Sequence, residues 1–223
     1  MEIQKALDQI SEIHGHLAKT DVYRGYRAVP VAFAGVVALV VAAVQTRLAG
    51  NGSPLSFVLC WVGVALVGAV TSGGGILYSY IRQESEFARR RTRTAVGQLL
   101  PCLVAGAIIT VPMTMGGSRS IAFLPGLWAM LFSLGIFASR PYLPRIMGWI
   151  ALYYLVAGAV LLALGVESRT VSGWEMDLTF GFDESTSLSP WGMGLTFGVG
   201  QVLSGIVLYW NLEREDVSQE QGN

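Results

Sequence analysis

The sequence predicts an all-α, polytopic integral membrane protein: six transmembrane helices in one bundle, both termini cytoplasmic, and a short amphipathic helix ahead of the first span. Three observations carry that prediction. Charged residues make up 13% of the chain and apolar residues 52%, where an average soluble domain is about 25% charged. The charges avoid six long windows, residues 28–48, 55–80, 96–115, 120–139, 146–166 and 190–210. Arg47 is the only Asp, Glu, Lys, Arg or His in any of them. The lysines and arginines outside the windows gather in alternate connections, and so on one side of the membrane.

Each window is close to or above the ~20 residues that carry a helix through a ~30 Å hydrocarbon core. Lipid offers no partner to an unpaired backbone group, so spans of this length must be helices. A transmembrane barrel would instead show short alternating segments. The balance of 15 basic and 15 acidic residues excludes nucleic-acid binding driven by net charge, and two cysteines exclude a disulfide-rich module. A mean hydropathy of +0.52 excludes a disordered chain.

Residues 1–27 precede the first span. Ile3, Leu7, Ile10, Ile13 and Leu17 recur at the period of one helical face, with Lys5, Asp8, Glu12 and Lys19 opposite. This helix is expected to lie against the bundle, or to dock or dimerise. His14 and His16 sit two apart and diverge on a helix, so they do not form a metal pair. Tyr23, Arg24, Tyr26 and Arg27 follow directly and suit the headgroup layer as interface anchors. The segment lacks the signature of a cleavable signal peptide, so the first span is expected to act as an uncleaved anchor.

With six spans, one side of the membrane receives twelve of the fifteen lysines and arginines, and the other receives Arg47, Arg119 and Arg169. The positive-inside rule places the richer side, with both termini, in the cytoplasm. The expected location is the plasma membrane, with the bacterial inner membrane as the expected case.

The second window carries a small-residue face, Ala65, Gly68, Ser72, Gly75 and Ser79, spaced for one side of a helix. Small faces let membrane helices approach closely. Gly73, Gly74 and Gly75 follow one another near its cytoplasmic end. Each costs roughly 1 kcal/mol relative to alanine in a helix, so a tight crossing, a local unwinding or a hinge is expected there. Between this window and the next lies the densest charge cluster, Arg82 to Arg93, in which Glu86 precedes Arg89, Arg90, Arg91 and Arg93. Its simplest role is to fix topology. Its functional role would be to hold anionic lipid headgroups or an acidic partner, at ~1 kcal/mol per basic residue near an anionic membrane.

Pro101 and Pro112 fall within the third window and Pro125 in the fourth. Broken helices of this kind serve secondary transporters. Against transport, no charged residue lies at mid-depth, where an ion-coupled carrier would bind its ion. The interior polar groups, Thr71, Ser72, Gln98, Thr110, Thr114, Ser133, Gln201 and Ser204, can glue helices or line a neutral path. Residues 103–107 and 155–159 both read LVAGA, a repeat that such common residues produce by chance.

After the fifth window comes a long acidic loop, 167–189. Trp174, Met176, Leu178, Phe180 and Phe182 alternate there with Glu175, Asp177, Thr179 and Gly181, the period of a strand with one greasy face. Its partner is expected to be the bundle itself or another molecule, with Trp174, Phe180 and Phe182 as contacts. The sixth window carries Gly194, Gly198, Gln201 and Gly205 on one face, where Gln201 is expected to hydrogen-bond to a neighbouring helix. A polar tail, 212–223, ends the chain.

No catalytic constellation is visible. Both histidines lie before the first span, and Cys60 and Cys102 are separated in depth by roughly 10–15 Å at helical rise, beyond the ~7 Å limit of a disulfide. No cofactor, metal or enzymatic activity is expected. The expected function is that of a subunit, scaffold or regulatory component of a membrane complex, surrounded by the bilayer and bound to a protein partner or to itself. The alternative is a small permease for a neutral or weakly polar solute.

Overall fold

A computed structural model of the chain describes residues 28–48, 53–82, 86–166 and 188–210. These residues are overwhelmingly helical, and no strand occurs among them. Six helices are long and apolar enough to cross a membrane. They are α1 (Ala28–Leu48), α2 (Pro54–Arg82), α3 (Glu86–Met115), α4 (Leu124–Ser139), α5 (Met147–Val166) and α6 (Pro190–Leu208). The amphipathic segment, the anchors Tyr23, Arg24, Tyr26 and Arg27, the loop residues Trp174, Phe180 and Phe182, and the tail lie outside the described residues.

Local chemistry sets the helix starts. Pro54 opens α2 at the position where a missing N–H costs nothing, and the Ser53 hydroxyl accepts the Ser56 amide at 3.2 Å as an N-cap. Proline also stands in the first turn of α4 and of α6. Between α3 and α4 the chain turns at Gly117, whose φ of 85° favours glycine, and then makes a single helical turn, Ser118–Ile121. A 3-10 turn, Arg140–Tyr142, follows α4.

The local unwinding that is one of the expectations at the three glycines, and the breaks expected at the prolines of the third span, are absent. Helix α2 runs unbroken through Gly73, Gly74 and Gly75, and α3 runs unbroken through Pro101 and Pro112. Each proline removes one backbone hydrogen bond, but the rest of a 30-residue helix carries it across. The irregular segment lies elsewhere. In α6, residues Gly194–Val199 adopt a wider π turn. There the Tyr153 hydroxyl of α5 donates to the Leu195 carbonyl at 2.7 Å, giving a main-chain acceptor in the widened turn a side-chain partner. Helices α2 and α3 also exceed their charge-free windows, reaching Arg82 and starting at Glu86.

Neighbours in sequence are neighbours in space, and α6 returns to α1. The most extensive interfaces join α4 to α5 and α1 to α6, followed by α3 with α4 and α1 with α2. Helices α5 and α6 touch less, and α2 with α3 least of these. Two apolar clusters fill the bundle. At the end where α1 starts, here called proximal, Ala28, Val31, Ile136, Met147, Ala151, Tyr154 and Leu208 pack together. At the opposite, distal end, Ala38, Ala42, Phe57, Val58, Trp61, Ile121, Leu124 and Met193 do so. Between them, Phe132, Tyr154 and Phe197 bring α4, α5 and α6 together, with the Phe132 and Tyr154 rings edge to face at 4.9 Å.

Candidate functional site

Surfaces of close helix approach are the main features of this fold from which function can be argued, and glycine makes them. On α1 and α6, a Cβ built at Gly35 would lie 2.7 Å from both the Gly198 carbonyl oxygen and the Val202 amide nitrogen. One built at Gly198 would lie 2.7 Å from Leu39 and 3.2 Å from the Gly35 carbonyl. Real Cβ atoms do not come within 3.0 Å of other heavy atoms, so the two backbones meet only because both residues lack one. Gly194 faces Ala42 on α1, and Gly205 faces Ala32 and the Ala28 carbonyl. The sixth-window glycines Gly194, Gly198 and Gly205 therefore all turn to α1.

A second crossing of the same kind joins α4 to α5. A Cβ at Gly126 would meet the Gly158 carbonyl and the Leu162 amide at 2.7 Å, and one at Gly158 would meet the Gly126 carbonyl and the Met130 amide at 3.0 Å. Gly165 approaches the Ala122 carbonyl in the same way. The sequence reading missed Gly35, Gly126 and Gly158 as contact residues. One signal was present: the two LVAGA segments contain Gly106 and Gly158, and both glycines turn to α4, where Gly106 faces Trp128 and Leu131.

Polar side chains tie these interfaces. The Trp61 indole donates to Gln45 across α2 and α1 at 3.1 Å, and the Trp128 indole donates to the Thr110 hydroxyl across α4 and α3 at 2.9 Å. The Ser133 hydroxyl donates to the Ala151 carbonyl across α4 and α5 at 2.7 Å, and Ser139 to the Ala95 carbonyl at 3.3 Å. Thr71, Thr110, Thr114 and Ser204 bond back to carbonyls of their own helices. Gln201 is half-buried and makes no cross-helix hydrogen bond among the described residues, contrary to expectation. The α6 face that meets α1 does so through backbone, leaving a long amide no partner there.

The α2–α3 side differs. Gly68 and Gly75 rest on α1, 3.5 Å from Ala34 and 3.4 Å from Pro30 at the Cβ position, which is ordinary van der Waals contact, and Ser72 between them is half-buried. Gly73, Gly74 and Gly97 are exposed and face open space, with nothing within 4 Å of a Cβ. Past Trp61, no residue of α2 with a described side chain is buried, and in α3 only Ala95 and Gly106 are. Within the hydrophobic windows, 17% of α2 and 11% of α3 is buried, against 50% for the span containing α4 and 44% for α6.

Arg93 is exposed at the start of this face. Arg89, Arg90 and Arg91 lie on the helical backbone of α3, and their side chains fall outside the described set. Cys60 and Cys102 are free, and the described residues include no cluster of three His, Cys, Asp or Glu side chains placed for a metal. Among the described residues, two buried polar atoms have no hydrogen-bond partner, the Gln98 Oε1 and the Tyr154 hydroxyl, the latter pressed against Gly200. Comparison with protein-family models, with curated proteins and with solved structures found no match for the chain.

Proposed function

We propose that the protein is a non-catalytic component of a membrane complex, a subunit, scaffold or regulatory protein that docks a partner chain or a second copy on the α2–α3 side of its bundle. One observation supports this above the others. The glycines of α1, α4, α5 and α6 are used up in contacts inside the bundle, whereas Gly73, Gly74 and Gly97 present bare backbone outward. Helices in lipid gain no hydrophobic drive from meeting one another, so close approach at small residues is how they associate. An exposed glycine patch inside a spanning helix carries its propensity cost with no return within this chain. A partner helix would supply the return. The arginine sidedness argues for a bundle with its proximal end and both termini in the cytoplasm, where the cluster Arg89, Arg90, Arg91 and Arg93 would be available to anionic lipid or an acidic partner.

Extraction from the native membrane in mild detergent, followed by mass spectrometry of co-purifying chains, tests this reading. A stoichiometric partner or a stable self-assembly is the expected result, and recovery of a lone monomer contradicts it.

The second reading, a small permease for a neutral or weakly polar solute, draws on the unbonded Gln98 Oε1. The backbone-to-backbone packing of α1 with α6 and of α4 with α5 weighs against a passage at Gln201.

A further inference from the structure

A shallow depression of about 420 Å³, widely open to the outside, runs along the outward face of α5 alone, lined by Trp149, Leu152, Tyr153, Val156 and Ala157. It begins at the proximal end of the bundle, two residues into α5, and from Trp149 to Ala157 it covers ~12 Å of helix at the usual rise. That is most of the ~15 Å depth of one leaflet of a ~30 Å hydrocarbon core. Its lining is almost wholly apolar. Tyr153, the polar exception, has its hydroxyl committed to the Leu195 carbonyl of the π turn. Trp149 is 72% exposed at the mouth, where an indole favours the boundary between headgroups and chains.

Two exposed arginines lie in the chain just before the groove. The Arg140 guanidinium lies over Gly148, with its Nε 3.4 Å and its Nη2 3.8 Å from the Cβ position of that glycine. Gly148 is one helical turn before Leu152, so the guanidinium lies beside the Leu152 edge of the depression. Arg145 stands in the turn two residues before α5, and its backbone carbonyl accepts the Gly148 amide at 3.1 Å. Both arginines are exposed, and the chain contains no Asp or Glu from residue 87 to residue 166. Nothing within that stretch of sequence can neutralise them.

Arginine beside an open apolar face ~12 Å long is complementary to a molecule with an anionic head and a long chain. We propose that this groove holds one anionic glycerophospholipid. Its phosphate sits on Arg140 and Arg145, its ester region lies beside Trp149, and one acyl chain lies along Leu152, Tyr153, Val156 and Ala157. This site is on the opposite flank of α4 from the α3 arginines and is independent of the docking of a protein on α2–α3.

The test uses the full-length protein in nanodiscs containing acyl-brominated phosphatidylglycerol or acyl-brominated phosphatidylcholine, read by tryptophan fluorescence. The Trp149 signal is the difference between the protein and its W149F variant. Quenching by either lipid reports insertion of the bundle in the bilayer, and the difference between the two lipids reports the site. The expected result is stronger quenching of Trp149 by the brominated phosphatidylglycerol. That preference should fall about fivefold for R140Q and again for R145Q, the equivalent of ~1 kcal/mol for each basic residue. R140K should retain it. Equal quenching of Trp149 by the two lipids, or a preference unchanged in the R140Q/R145Q double variant, overturns the proposal.

Discussion

The α4–α5 pair and the α2–α3 pair are built from the same kind of residue and end in opposite states. In the first, Gly126 and Gly158 bring two backbones into contact, and the Ser133 hydroxyl reaches across to the Ala151 carbonyl. In the second, Gly73, Gly74 and Gly97 meet nothing, and the helices are the least buried of the six. The α1–α6 pair, with Gly35 against Gly198, belongs with the first. What separates the two is where the facing residue stands, since a glycine stabilises a membrane bundle only when another backbone arrives at the face it leaves bare. The distal end of α2 joins the core through Phe57, Val58 and Trp61, and its proximal half only leans on α1.

The comparison breaks most easily at the crossings. Gly35→Ala or Gly126→Ala places a methyl within van der Waals overlap of main-chain atoms that cannot rotate away, so the helices must separate. The expected loss is about 1–3 kcal/mol, measured as unfolding in a mixed-micelle denaturation series. An unchanged midpoint would show that the crossings are not as close as described. A smaller effect belongs to Ser133→Ala, which removes one interhelical hydrogen bond and should cost about 0.6 kcal/mol, the mean for such bonds in membrane bundles. Tyr153→Phe should cost a similar amount and also release the Leu195 carbonyl in the π turn.

The smallest effect, and the one that sharpens the contrast, is expected from Gly73→Ala and Gly74→Ala. With open space at the Cβ they should leave the isolated protein as stable or raise its stability by at most ~1 kcal/mol through helix propensity. The same substitutions should lower the yield of any partner recovered from the native membrane. Destabilisation of the isolated protein by either would place an unseen contact inside the bundle.

Much of the fold is legible in the sequence, because lipid imposes a one-dimensional rule. The six charge-free windows coincide with the six helices to within a few residues where charge marks the boundary, and α2 and α3 overrun theirs because a helix continues past the point at which residues become polar. The glycine face of α6 is legible as a period. Its counterpart Gly35 is not, because a lone glycine in a valine-rich span carries no periodic signal. The π turn at Gly194–Val199 is equally silent, since it depends on how α6 packs rather than on any local breaker. Gly73, Gly74 and Gly75 mislead for the converse reason. Their intrinsic cost predicts a break, but a helix in an apolar surrounding has no alternative partner for its backbone groups and stays closed. Of the candidate contacts, the helix-packing residues and Arg93 can be placed, the side chains of Arg89, Arg90 and Arg91 are not described, and Tyr23, Arg24, Tyr26, Arg27, Trp174, Phe180 and Phe182 fall outside the described residues.

The most direct measurement is site-specific photo-crosslinking in the native membrane, with a photoreactive residue at position 74 on the open face of α2 and, as reference, at position 160 on the exposed face of α5. If the open glycine face docks a protein, position 74 yields a discrete protein adduct and position 160 yields lipid adducts alone. Lipid adducts alone at both positions would contradict it.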